Sequence, residues 1–207
     1  MTSCRKHSIF SAGLPPTPPE QAFSLLELLV VVTVMVIAMS LTLPAVVGMQ
    51  RSYHLSKAAS QIKDNLQLAR QLAMARDEPV VASFCKVPDE FGKASYNVLM
   101  LSRELPDGTL APISKPIRLS GAIGISGDAR WSSIMTDALS GTYTNVFPNV
   151  NAPCQEFRFK ASGATDLPSS SSWYLTLFHN PDSTALPANF VTLAIDPVTG
   201  RIVWSQP

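Results

Sequence analysis

Charge is scarce in this chain. Of its 207 residues only 15% are Asp, Glu, Lys or Arg, where an ordinary soluble domain carries roughly a quarter. The deficit is concentrated, because residues 28–47 contain no charge at all. The 16 basic and 15 acidic residues nearly cancel, so the balance demands no acidic partner. Lys and Arg are dispersed, which disfavours nucleic-acid binding, since that needs a basic patch. Histidine is also rare, at His7, His54 and His179. No Cys or His metal spacing, nucleophile elbow or phosphate-binding glycine loop occurs, so no catalytic centre and no cofactor is expected. His179 could pair with Asp182 or Asp196, but a lone histidine after a strand is more often structural. The same two aspartates are too few for the six to eight oxygen ligands that calcium takes.

Proline is abundant, with 17 residues. Four of them, Pro15, Pro16, Pro18 and Pro19, make residues 1–22 a non-helical leader, which also carries Arg5 and Lys6. The character then changes abruptly. Phe23 to Val47 reads FSLLELLVVVTVMVIAMSLTLPAVV, and about 20 apolar residues suffice for a helix to span a bilayer. Three readings compete: a secretory signal peptide, a plain signal anchor, and a leader cut before the apolar run so that the run is retained. Glu27 separates them. A carboxylate at the edge of a membrane helix is costly and points to a function, whereas a conventional signal core has no use for it.

The segment Ala22-Phe23-Ser24-Leu25-Leu26-Glu27-Leu28-Leu29-Val30 resembles the prepilin peptidase site of type IV pilins and pseudopilins. The resemblance implies cleavage between Ala22 and Phe23 and N-methylation of Phe23. It also implies an assembly role for Glu27, which sets filament register, and a helix bend at Pro44. Ala22 departs from the glycine usual in that place. The electrostatics stand without the family: cleavage frees a cationic amine at Phe23, and a carboxylate four residues on can neutralise it in a low-dielectric setting. Removing Arg5, Lys6 and Glu20 with the leader leaves 14 basic and 14 acidic residues.

Cys4 lies in the leader. Cys85 and Cys154 remain, an even number in a part of the chain expected outside the cytoplasm. A Cys85–Cys154 disulfide is therefore one expectation, and two buried free thiols the other.

Beyond Gly48 the pattern turns amphipathic. Leu55, Ala59, Ile62, Leu66, Ala69 and Ala73 recur at helical spacing, and Pro79 ends the run. One helix is expected from about Phe23 to about Asp77. Strands are expected at 80–85, 96–101, 117–119, 156–160, 173–178 and 190–195. The last of these enters a hairpin through Asp196-Pro197-Val198-Thr199-Gly200 to 201–204. Residues 121–155, rich in Gly, Ser, Thr and Asn, read as a long surface excursion.

The passage 58–74 followed by Pro79-Val80-Val81, the segment 157–163 and the closing hairpin are similar to the GspH/FimT family of minor pilins and pseudopilins. The expected fold is α+β, a long N-terminal helix packed on a C-terminal antiparallel sheet. Its parts are a leader (1–22), a transmembrane or filament-core half-helix (23–49), an amphipathic half-helix (50–78) and a β-rich domain (79–207). The resemblance implies a single-pass inner-membrane protein with its domain in the periplasm or outside. The implied partners are other pilin-like subunits, the prepilin peptidase, an inner-membrane assembly platform with its ATPase, and membrane lipid before assembly. Two rival readings stand beside it: a DNA-binding minor pilin, and a signal-anchored extracytoplasmic enzyme or binding protein.

Overall fold

The computed structural model describes residues 24–89, 92–119, 122–135, 140–147, 150–180 and 185–206; the side chains of 41–47, 140–147 and 150 lie outside this description. Two compact units divide the chain, Met1–Ala45 and Val46–Pro207.

Helix α1 runs Leu25–Arg76. Its start is a capped turn: Ser24 Oγ accepts from the Glu27 amide at 3.1 Å, and Ser24 O accepts from the Leu28 amide at 3.2 Å. A serine in this position satisfies one of the free amides of the first turn. The helix ends at Asp77, which takes a left-handed φ of 56°, a usual way to close a C-terminus. Pro44, the expected bend, falls within the helix, and its side chain is among those not described.

Among the described residues ten strands follow: β1 Val80–Pro88, β2 Ala94–Glu104, β3 Leu110–Pro112, β4 Ile117–Arg118, β5 Ile123–Ile125, β6 Ser140–Phe147, β7 Val150–Phe159, β8 Trp173–His179, β9 Phe190–Ile195 and β10 Ile202–Ser205. They form one sheet in the order β10-β9-β8-β5-β2-β1-β7-β6, with β3 and β4 also on β2. Every pairing is antiparallel. The fold is therefore α+β, with α1 packed on a large antiparallel sheet. Leu55, Ala59, Ile62, Leu66, Ala69 and Ala73 of α1 are buried in the same core as Phe84, Phe157, Phe159 and Leu193. The three alanines keep that face of the helix narrow, so the backbone can lie close to the sheet.

β1 is buried along almost its whole length rather than at alternate positions. It sits between β2 and β7. On the pleat opposite α1 a second apolar cluster forms from Cys85, Val87, Val98, Met100, Ala152 and Cys154. A strand covered on both faces reads as a continuous apolar run, and this explains VVASFC.

The segment 121–155, expected as a surface excursion, supplies sheet and core where it is described. Ile123 and Ile125 of β5 are 1% and 2% exposed, and β5 bridges β2 to β8 within the sheet. A short 3-10 turn, Ser133–Met135, buries Ile134 and Met135. Beside it, Ser132 Oγ and Ser133 Oγ accept from the Thr176 and Tyr174 amides at 3.0 and 2.9 Å. Two serine side chains thus satisfy amides of β8 on the side away from β9, ahead of the stretch that pairs with β5.

Candidate functional site

The residues singled out by sequence do not converge on one pocket. Those among the described residues occupy the amino-terminal half of α1 and the sheet on which its second half packs.

Between Leu25 and Met39 every apolar side chain is uncovered, from Leu25 at 84% exposure to Val31 at 47%. Glu27 is the only charge between residues 24 and 40, and it lies in the first turn. The polar side chains that remain are satisfied within the helix. Thr33 Oγ1 donates to the Val30 carbonyl at 3.2 Å and also to that of Leu29, and Ser40 Oγ donates to Ile37 O at 2.7 Å. Hydroxyls bonded back to their own helix need no water. Glu27 is thus the one group here whose charge calls for a partner. Ala22 and Phe23 lie outside the described residues. Among the described residues no helix is long and apolar enough to cross a membrane, and the described side chains of the apolar run reach only Ser40.

Cys85 and Cys154 are brought together. They face each other in register across β1 and β7, with Cα atoms 4.0 Å apart, and are joined as a disulfide. Both are buried.

Two contacts hold α1 against the sheet where its packed half begins. His179 Nε2 lies 3.1 Å from Arg51 O. Gln206 accepts from Ser56 Oγ at 3.0 Å and donates to Ser52 Oγ at 3.3 Å and Asn189 Oδ1 at 3.2 Å. Further along, Arg70 Nε donates to the carbonyls of Gly163 and Thr199 at 3.2 and 2.9 Å. The turns that carry these carbonyls touch. A Cβ on Gly200, at φ +64°, would lie 2.1 Å from Gly163 O, so only glycine fits.

The carboxylate of Asp196 is occupied by its own turn. It accepts from the Val198 and Thr199 amides and from Thr199 Oγ1, the last at 2.7 Å. These bonds, the Thr199 hydroxyl foremost and then the Val198 amide, hold its carboxyl below the ordinary range. His179 is engaged with Arg51, and Asp182 lies outside the described residues. Among the described residues no group of three or more His, Cys, Asp and Glu could hold a metal ion. On the opposite pleat Arg158 draws in Glu104, Glu156 and Asp166 at 3.0, 3.5 and 3.6 Å. Burial opposes its charge, and the three carboxylates, led by Glu104, more than offset that.

Sequence reasoning passed over Ser24 and Arg70. The signal for Ser24 was present, since Ser-x-x-Glu ahead of an apolar run is a helix-start pattern. Nothing in the sequence singles out Arg70, whose acceptors are two backbone carbonyls.

No family model matches the chain, and no curated protein matches it. Among solved structures, it is similar to the type IV minor pilin FimU of Pseudomonas aeruginosa, with 15% identity over 74% of this chain and 92% of that one at a TM-score of 0.46. It is also similar to the minor pseudopilin EpsH from the Type 2 Secretion System of Vibrio cholerae, with 9% identity over 74% and 98% at a TM-score of 0.43.

Proposed function

We propose that the chain is the precursor of a pilin-like filament subunit, with a structural rather than catalytic role, and most closely of the minor pilin and pseudopilin kind. The observation that carries this reading is the first half of α1. A capped helix with every described apolar side chain uncovered, the Thr33 and Ser40 hydroxyls satisfied internally and a single carboxylate in its first turn is suited to lipid and then to packing among like helices. It is continuous with a second half that anchors a globular domain.

In this reading residues 1–22 are removed by a prepilin peptidase and Phe23 becomes the methylated first residue. Ser24 starts the helix immediately after it. Glu27 neutralises the new amine, in its own chain or in the neighbour below, and so sets axial register. An unpaired charge in an apolar filament core costs several kcal/mol, on the order of 3–5, which makes register selective. Pro44 permits a bend. Before assembly the helix resides in the inner membrane, single-pass, with the domain on the far side. The platform and its ATPase supply the work of extraction.

Fractionation of cells expressing the intact chain tests this. The reading expects recovery from membranes and from mechanically sheared surface or periplasmic filaments, and loss of the filament fraction alone in Glu27→Ala. Recovery solely as a soluble monomer would sink it.

A further inference from the structure

The ladder between β1 and β7 runs from Val80 opposite Phe159 to Cys85 opposite Cys154 and stops at that rung. Two features end it. Pro153, the next residue of β7, has no amide to donate. On the other side of β1, β2 takes an extra residue, Asn97, at the step from Cys85 to Lys86, and such a bulge bends and twists the ladder. Beyond the rung the two strands part. β1 continues to Pro88 beside β2, whereas residues 150–153 pair with β6. Residues 140–153 thus form an arm rooted at the disulfide. Among the described residues β6 pairs with β7 alone, and the register of that pairing shifts between Tyr143 and Phe147. No charge lies in 140–153, so no ion pair fastens the arm. Ala152, with Cys154 at the root, carries it into the cluster with Cys85, Val87, Val98 and Met100. The other half of β7 is held in the main core, where Phe157 and Phe159 are fully buried.

Cys85 and Cys154 are 0% and 1% exposed. Thiol–disulfide exchange needs a third sulfur to reach one of them, and burial closes that approach. We propose that the disulfide is a latch on this arm. The bond forms and exchanges only while residues 140–154 stand away from β1, and once made it fixes the root of the arm to the centre of the sheet. Such an opening uncovers the smaller cluster and leaves Phe157 and Phe159 in place, so it exposes far less surface than global unfolding, as local openings do. In the open arm the Cys154 thiolate attacks a disulfide carried by a thiol oxidant, forming a mixed disulfide and releasing one of the oxidant's sulfurs as a thiol. The Cys85 thiolate then displaces the second. The two protein thiols give up two protons and two electrons, and the oxidant leaves as a dithiol. The latch itself stands on the geometry of the sheet; only the oxidising compartment rests on the filament reading.

Oxidised full-length protein in detergent micelles is exposed to dithiothreitol over a series of urea concentrations below the unfolding midpoint, and alkylated thiols are counted by mass. The rate of reduction is expected to rise with urea at about a tenth to a half of the slope of global unfolding, because the slope scales with the surface exposed. A steeper dependence, up to the global slope, would show that the bond opens only with the whole domain. A rate indifferent to urea would show that the sulfurs are reached in the closed fold. Either result overturns the latch. Hydrogen exchange on the Cys85→Ala, Cys154→Ala double variant gives a second reading. The amides of 140–153 are expected to lose protection about tenfold or more, while those of β8 and β9 keep theirs. Unchanged protection in 140–153, or an equal loss throughout the sheet, would contradict the proposal. If the double variant does not fold, the reduction rates of the wild-type chain decide.

Discussion

Arg70 and Thr199, 129 positions apart, are tied by a 2.9 Å hydrogen bond from Nε to the carbonyl. The bond runs from the helix to the last turn of the sheet, and the second acceptor, Gly163 O, lies against Gly200. Removing the guanidinium leaves both carbonyls to water or to nothing. Arg70→Ala is expected to destabilise the domain by about 1.5–3 kcal/mol, the range for charge-assisted bonds. Gly200→Ala should cost at least as much, because its methyl would meet Gly163 O. Chemical denaturation of the two variants measures this, and an unchanged midpoint for either contradicts the clamp.

The Cys85–Cys154 bond closes a loop that contains β2 to β6. Loss of a native disulfide typically costs about 2–5 kcal/mol. Cys154→Ala is expected to lower the melting temperature markedly. Thiol labelling of unfolded protein should find only Cys4, or no thiol once the leader is gone, until reductant is added. Full labelling without reductant would show free thiols instead.

Asp196 gives a pH prediction. Its carboxyl is held below its unfolded value, near 3.9, by Thr199 and Val198. A depressed carboxylate contributes stability that is present above the unfolded value and lost as pH falls through the folded one. Wild-type protein should therefore lose more melting temperature than Asp196→Asn on going from pH 6 to pH 3. Parallel curves would remove Asp196 from the account.

Ser24 and Glu27 act separately. Ser24→Ala removes the cap, with a helix cost of about 1 kcal/mol, and should fray the first turn without abolishing assembly. Glu27→Gln keeps size and hydrogen bonding but no charge, and is expected to abolish assembly while leaving membrane insertion intact. Filament recovery from the two variants reads the difference; equal loss from both would reassign Glu27 to helix capping.

Much of the fold was legible because its signals are local. The stripe Leu55–Ala73 is buried as its spacing requires, and the helix stops at Arg76, with the left-handed Asp77 and then Glu78 ahead of Pro79. The strands Phe190–Ile195 and Trp173–His179 carry their own patterns. β5 was not legible because Ile-Gly-Ile between Ala122 and Ser126 has no periodicity. Its burial depends on neighbours from β2 and β8, distant in sequence. β6 reads as polar loop for the same reason, since Ser, Gly, Thr and Asn become strand there only through pairing with β7. At the candidate site Glu27 stood out as a lone charge in an apolar run. Arg70 did not, because backbone acceptors leave no trace in side-chain identity.

The central claim concerns what is cut and what is kept. Intact mass and amino-terminal sequencing of the protein extracted from membranes test it most directly. The account predicts a single species that begins at N-methyl-Phe23 and retains the apolar helix. A chain beginning at Met1, or one beginning after Val47, would contradict it.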